Sequence, residues 1–208
     1  MVSRRQAIGG GLGLAFAVVG CDRFAGEAPE VETRTETRVD LAVPHLQQEK
    51  LLCVPTSAAM VLAYYGDPRS PRELKTLAAG RDWDAAAPFD DFSITLYRDL
   101  LNGLNRIGYG WAQRRFAPTP GGLDDGLATI VAALAAGRPV LVDVSLPSGH
   151  TFVVRGFDSV RRSLDIVDPD QPAPGRYTVS YDQFASVWNE SAYGDPHRYL
   201  LLTSPKQA

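Results

Sequence analysis

The sequence predicts an α+β fold in which a helical half packs against an antiparallel β-sheet, and three observations predict it. Apolar residues recur at helical spacing in several segments between residues 53 and 136, and short β-branched runs separated by Pro, Gly, Ser and Asp replace them from residue 140 onward. Helices first and strands afterwards is the order of an α+β domain rather than of alternating strand–helix units. Residues 41–208 carry this pattern, a length that suits one hydrophobic core at roughly 100–200 residues per domain.

Residues 1–40 stand apart from that domain. Residues 1–20 run from the basic pair Arg4-Arg5 through an uncharged stretch, residues 7–19, shorter than the ~20 apolar residues of a membrane-spanning helix. The Ser3-Arg-Arg-Gln-Ala-Ile8 start resembles a twin-arginine export signal, with Ala7 where a large apolar residue is usual. Val18-Val-Gly-Cys21 resembles a bacterial lipobox, which implies a lipidated Cys21 as the new N-terminus and a protein anchored at the periplasmic or extracellular face of the cell membrane. Residues 21–40 are then the lipidated terminus and a flexible linker: residues 22–38 are rich in Glu, Thr and Arg with no apolar period, and a flexible chain of that length spans ~20–25 Å.

Within the domain, residues 53–65 form the first helix, with Pro55 preset for its first turn. Ser70-Pro-Arg-Glu73 has the form of a capping box and opens a short helix over 71–79. Ile94, Tyr97, Leu100, Leu101 and Leu104 share one face of a third over 94–106, and 124–136 is a fourth, ended by Gly137 and Pro139. Strands follow over 140–144, 151–154, 164–167, 176–180 and 198–203, with a short helix over 181–188 before the last.

Charge and donor spacing exclude several partners. The full chain has a formal charge of −3, and removing residues 1–20 takes away two arginines and no acids, which leaves −5. No basic patch is visible, so nucleic acid is not an expected partner. The three His and the free Cys have no ligand spacing such as His-Glu-x-x-His or Cys-x-x-Cys, so no metal or cofactor is expected. Nothing in the sequence specifies an oligomer.

With Cys21 assigned to lipid, Cys53 is the one remaining thiol and opens a helix. The positive end of a helix dipole favours thiolate, the nucleophilic form. A thiol nucleophile needs a base, and the base needs an orienting group. His150 is mounted where a loop enters a strand; His45 and His197 have no such rigid mount. Asp168 ends the next strand, and antiparallel neighbours bring a strand start and a strand end to one sheet edge, so its carboxylate can accept from the His150 ring. Gln47, six residues before Cys53, is positioned to place an amide N–H beside the Cys53 backbone N–H, two donors for an oxyanion.

These residues carry a family resemblance. Gln47-x5-Cys53-x-Pro-Thr-Ser-Ala-Ala-Met-Val-Leu-x-Tyr-Tyr-Gly66, Gly137-Arg-Pro-Val-Leu-Val142, Gly149-His-Thr-Phe-Val-Val-x-Gly156, Asp168-Pro169 and Phe184-x3-Trp188 resemble the papain-like C39 and C39-like cysteine peptidases over about 43–202. The resemblance implies the papain-like fold, Cys53 as nucleophile, His150 as base, Asp168 as its orienting group, Gln47 in the oxyanion hole, and a peptide or protein substrate. Val54 departs from the Gly usual after the Cys. Family members fused to transporters cut leader peptides after paired glycines; with no transporter segment in this sequence, that specificity is not expected here. The expected function is a lipid-anchored cysteine peptidase acting outside the cytoplasmic membrane. Its rivals are a transglutaminase-like acyl transferase, which usually has Gly where Leu51 stands, and a peptide-binding domain of the same fold without turnover.

Overall fold

Helix α1 (Cys53–Tyr64) is buried from Val54 to Leu62 on every side, the pattern of a helix enclosed by its neighbours rather than laid on a surface. Each of Met60, Val61 and Leu62 has no exposure, and burial of such side chains contributes about 1.5–3 kcal/mol apiece. The structure is a computed structural model that describes residues 37–146, 149–188 and 194–206; the export signal and Cys21 lie outside the described residues. Helices α2 (Pro71–Ala78) and α3 (Tyr97–Arg106) complete the layer around α1. Among the described residues no helix is long and apolar enough to cross a membrane.

Against this layer lies an antiparallel sheet of order β2 (Ala112–Phe116), β7 (Arg198–Leu202), β3 (Val140–Val144), β4 (His150–Asp158), β5 (Ser163–Val167) and β6 (Arg176–Ser180), with β1 (Arg38–Asp40) paired to β4. Strand alternation divides the core in two. Leu141, Val153, Val167 and Leu201 face α1, while Val140, Val142, Phe152, Val154, Ile166 and Leu200 face α4 (Pro120–Ala135) and α5 (Tyr181–Val187) on the other side. The fold is therefore the α+β class expected, with helices on both faces of the sheet.

Several boundaries differ from the sequence expectation for local reasons. Residues 38–40, expected in the linker, form β1: Val39 is buried, Asp40 pairs with the buried Arg155, and Arg155 Nη1 also donates to the Leu41 carbonyl at 2.8 Å. Gly156 makes room for this strand, since a Cβ there would lie 2.5 Å from the Val39 oxygen. Strand β2 gave no signal because its Gln113-Arg-Arg115 centre is exposed and does not alternate, the polar dress of an edge strand. Helix α3 starts at Tyr97 rather than residue 94, because Lys75 Nζ draws in Ser93 Oγ and the Ile94 carbonyl at 3.0 and 3.2 Å and holds that stretch as a loop. Helix α4 starts four residues early, with Thr119 Oγ1 accepting from Gly122 N and Pro120 in the first turn. The Ser70 cap forms, but Glu73 turns to Arg69 at 2.6 Å, leaving the capping box half made.

Candidate active site

Cys53 is the first residue of α1, half-buried and unpaired. No side chain caps this helix and no acid sits in its first turn, so its free backbone N–H groups and positive dipole end remain directed at the space around the thiol. The chain reaches this point through Leu51 at φ 62°, left-handed backbone in a residue with a full side chain. Such conformations are destabilising and concentrate where function fixes the path of the chain.

His150 opens β4 with its ring between two partners. Its Nε2 donates to Asp168 Oδ1 at 2.7 Å, and its other side is hydrogen-bonded to the Cys53 thiol, which makes Nδ1 the nitrogen facing sulfur. Both side chains of the His150–Asp168 pair are largely buried, 12% and 5% exposed. Burial works against charge on the ring, but hydrogen bonds to Asp168 and Cys53 and the charges of both outweigh it, raising the His150 pKa to about 9. For Asp168, burial pushes upward while the His150 hydrogen bond and charge, the Asp170 N–H and the Tyr177 hydroxyl together hold it below the usual carboxylate value.

Asp168 is held from every side. Oδ1 also accepts from Asp170 N at 2.9 Å, the turn expected of an Asp-Pro sequence, and Oδ2 accepts from Tyr177 Oη at 2.9 Å. Its backbone N–H donates to Gly175 O at 2.8 Å, and its carbonyl accepts from His45 Nε2 at 3.1 Å. Gly175 has φ +61°, and a Cβ there would meet the His45 ring and lie 2.8 Å from the Asp168 oxygen. His45 is thus a brace for Asp168, not a base for Cys53. His197 is likewise occupied, in a cluster with Asp195 and Arg115 at 2.7 and 2.9 Å. Tyr177 carried no sequence signal beyond its strand; its role depends on β6 pairing with β5 directly before Asp168.

Gln47 is placed differently from the expectation. Its Nε2 donates to Pro169 O at 3.0 Å, and Gln47 is exposed and not among the residues lining the cleft. The cause is the backbone: Gln48 N also donates to Pro169 O, at 2.8 Å, and Gln48 Nε2 donates to Asp170 Oδ1 at 2.7 Å, so the segment is stapled to the loop after Asp168. The more buried Gln48 keeps an Oε1 with no partner among the described residues.

Cys53 and His150 open into a cleft of about 410 Å³ whose walls include Val54, Tyr97, Asp143 and Tyr199. Among the described residues no group of His, Cys, Asp and Glu is arranged to hold a metal ion. The arrangement supplies a sulfur nucleophile, an imidazolium beside it and a buried carboxylate behind the imidazolium, the parts needed for acyl transfer through a thioester.

Comparison with known proteins agrees with this geometry. The profile of the Peptidase_C39 like family matches residues 40–195, from β1 to the cleft residue Asp195. The chain belongs to the Peptidase_C39 like family. Among solved structures, this C39-like chain is similar to the peptidase domain of Streptococcus ComA, a bi-functional ABC transporter involved in a quorum sensing pathway, at 19% identity and a TM-score of 0.51 over 78% of this chain and 99% of that one. It is also similar to xylellain, a cysteine protease from Xylella fastidiosa, at 12% identity and a TM-score of 0.45 over 82% and 87%. No curated protein matches the chain in sequence. The fold is that of papain-like cysteine proteases.

Proposed function

We propose that this C39-like chain is a cysteine peptidase. The observation that carries the reading is the His150 ring, bridged between the Cys53 thiol and Asp168 Oδ1 at 2.7 Å at the edge of an open cleft. Cys53 attacks the substrate carbonyl as thiolate, with His150 as its imidazolium partner. The Cys53 N–H at the free end of α1 donates to the oxyanion, and Gln47 joins it by exchanging its Pro169 contact, a loss of one hydrogen bond of about 0.5–1.5 kcal/mol net. His150 gives its proton to the leaving amine, and the thioester is then hydrolysed by water activated by the same ring. Asp168, fixed by Tyr177 and Asp170, holds the ring in place throughout.

The substrate class is a peptide or protein, and the site of action is outside the cytoplasmic membrane, with Cys21 lipidated and residues 22–37 as tether. The lipobox-like Val18-Val-Gly-Cys21 supports this placement. The full chain and its Cys53→Ser variant, each incubated with a diverse peptide library and read by mass spectrometry for new termini, test the activity. Cuts made only by the wild type support a peptidase. Amine-substituted glutamine products without new termini, or peptides retained equally by both proteins and never cut, would replace it with an acyl transferase or a binding module.

A further inference from the structure

Strand β3 breaks its own pattern. Val140, Val142 and Val144 face the core beneath α4, Leu141 faces α1, and alternation puts Asp143 on that same α1 face, where an apolar residue is the rule. The register sets Asp143 opposite Thr151 on β4 and opposite Tyr199 on β7. One row further in, Val153, Leu141 and Leu201 are sealed with no exposure. The helical cover thins at the next row: Thr151 is still buried, its hydroxyl against Tyr97 of α3, while Asp143 and Tyr199 are partly exposed, and all three border the same cleft as Cys53 and His150.

Asp143 is an unusual residue to leave there. Among the described residues nothing donates a hydrogen bond to its carboxylate, and the one charge felt there is that of His150. The other charged residues of the cleft are engaged elsewhere: Arg98 with Asp99 at 3.3 Å, Asp195 with Tyr199, His197 and Arg115. Burial raises the Asp143 pKa to about 6, which leaves it largely ionised at neutral pH. A half-buried carboxylate without a donor is satisfied by a cation arriving in the cleft. Thr151, its cross-strand neighbour, directly follows His150 in the chain, so the carboxylate lies within a residue or two of the reacting carbonyl of an extended peptide.

We propose that Asp143 is the specificity-determining residue of this cleft and takes the cationic side chain of a substrate Lys or Arg close to the scissile bond. The proposal rests on the cysteine-peptidase reading. A local break in strand patterning at a cleft floor is where a sequence departs from folding rules for the sake of binding. Neither Thr151 nor Tyr199 supplies charge, so selection between a cation and its neutral isostere falls to Asp143.

The test uses tripeptidyl fluoromethyl ketones with Arg, citrulline, norleucine or Glu at the first, second or third residue from the reactive group. The Cys53 thiolate displaces fluoride to form a thioether, and intact mass gives the rate for the full chain. Citrulline has the shape of Arg without its charge. In the wild type, Arg is expected to exceed citrulline at least about tenfold at one position, with Glu slowest there. In Asp143→Asn that ratio falls to within about twofold of unity, and in Asp143→Leu the preference passes to norleucine. Melting curves check that each variant folds, and either variant alone carries the result. A wild-type ratio near one at every position overturns the proposal. So does a ratio that survives both variants, including the case in which all probes slow alike, which would mean that Asp143 acts through His150. If no probe alkylates wild-type Cys53, the peptidase reading fails and this proposal goes with it.

Discussion

Replacing Asp168 by Asn should pull the His150 titration down into the neutral range. In the folded chain the ring titrates at about 9, against an ordinary imidazole value of ~6.5. The difference of ~2.5 units, at ~1.36 kcal/mol per unit, is ~3 kcal/mol in favour of the imidazolium. Its supports are the hydrogen bonds and charges of Asp168 and Cys53, set against burial. Asn keeps an oxygen on the ring but removes the Asp168 charge, and one adjacent opposite charge is worth ~1–3 units, so the midpoint should fall to ~6–8. The assay is a carbon-13 histidine titration between pH 5 and 10, with the His150 signal identified by its loss in His150→Gln. Stability should follow the same sign. The raised His150 pKa contributes stability that is complete below ~6.5 and is lost as pH rises through about 9, and Asp168→Asn should flatten that decline. A wild-type midpoint at or below ~6.5, or a midpoint equal in wild type and Asp168→Asn, would refute the reasoning.

Asp168→Ala should be more damaging to activity than Asp168→Asn, because it removes the oxygen that accepts from both His150 and Asp170 N–H, which an amide oxygen retains; matching kcat/KM values for Ala and wild type would move the orienting role to another residue. Leu51→Gly should raise stability by about 1 kcal/mol, since Leu51 sits at φ 62° and is 47% exposed, so little packing is lost; a lower denaturation midpoint would contradict the strain assigned to it. Cys21→Ala should abolish incorporation of a fatty-acid probe in cells, and equal labelling of wild type and variant would remove the lipid anchor from the account.

The order of helices and strands was legible because α2 and α3 each carry one apolar face, α1 is an apolar run opened by Pro55, and the central strands are short β-branched runs between turn residues; the Cys53 and His150 mounts follow from a helix start and a strand start. Their meeting with Asp168 was legible for the same reason: β4 and β5 are adjacent antiparallel strands. What stayed hidden depends on long-range packing. The Gln47 amide finds Pro169, 122 residues away, and nothing near Gln47 in sequence announces that partner. Strand β2 is polar because it lies at the edge, and β1 is too short to show a period. Asp143 was visible as a break in a β-branched run, but its meaning depends on where α1 stops covering the sheet, and only the assembled fold sets that limit.

The most direct test of the central claim is to catch the thioester itself. The full chain, mixed with a peptide library and quenched in acid within milliseconds to seconds, is read by intact mass and then by peptide mapping. The account predicts acyl adducts on Cys53 in the wild type that disappear with time as shortened peptides accumulate, and none on Cys53→Ser. Shortened peptides formed equally by Cys53→Ser, or a wild type that never carries an acyl group at Cys53 and leaves the library intact, would contradict it.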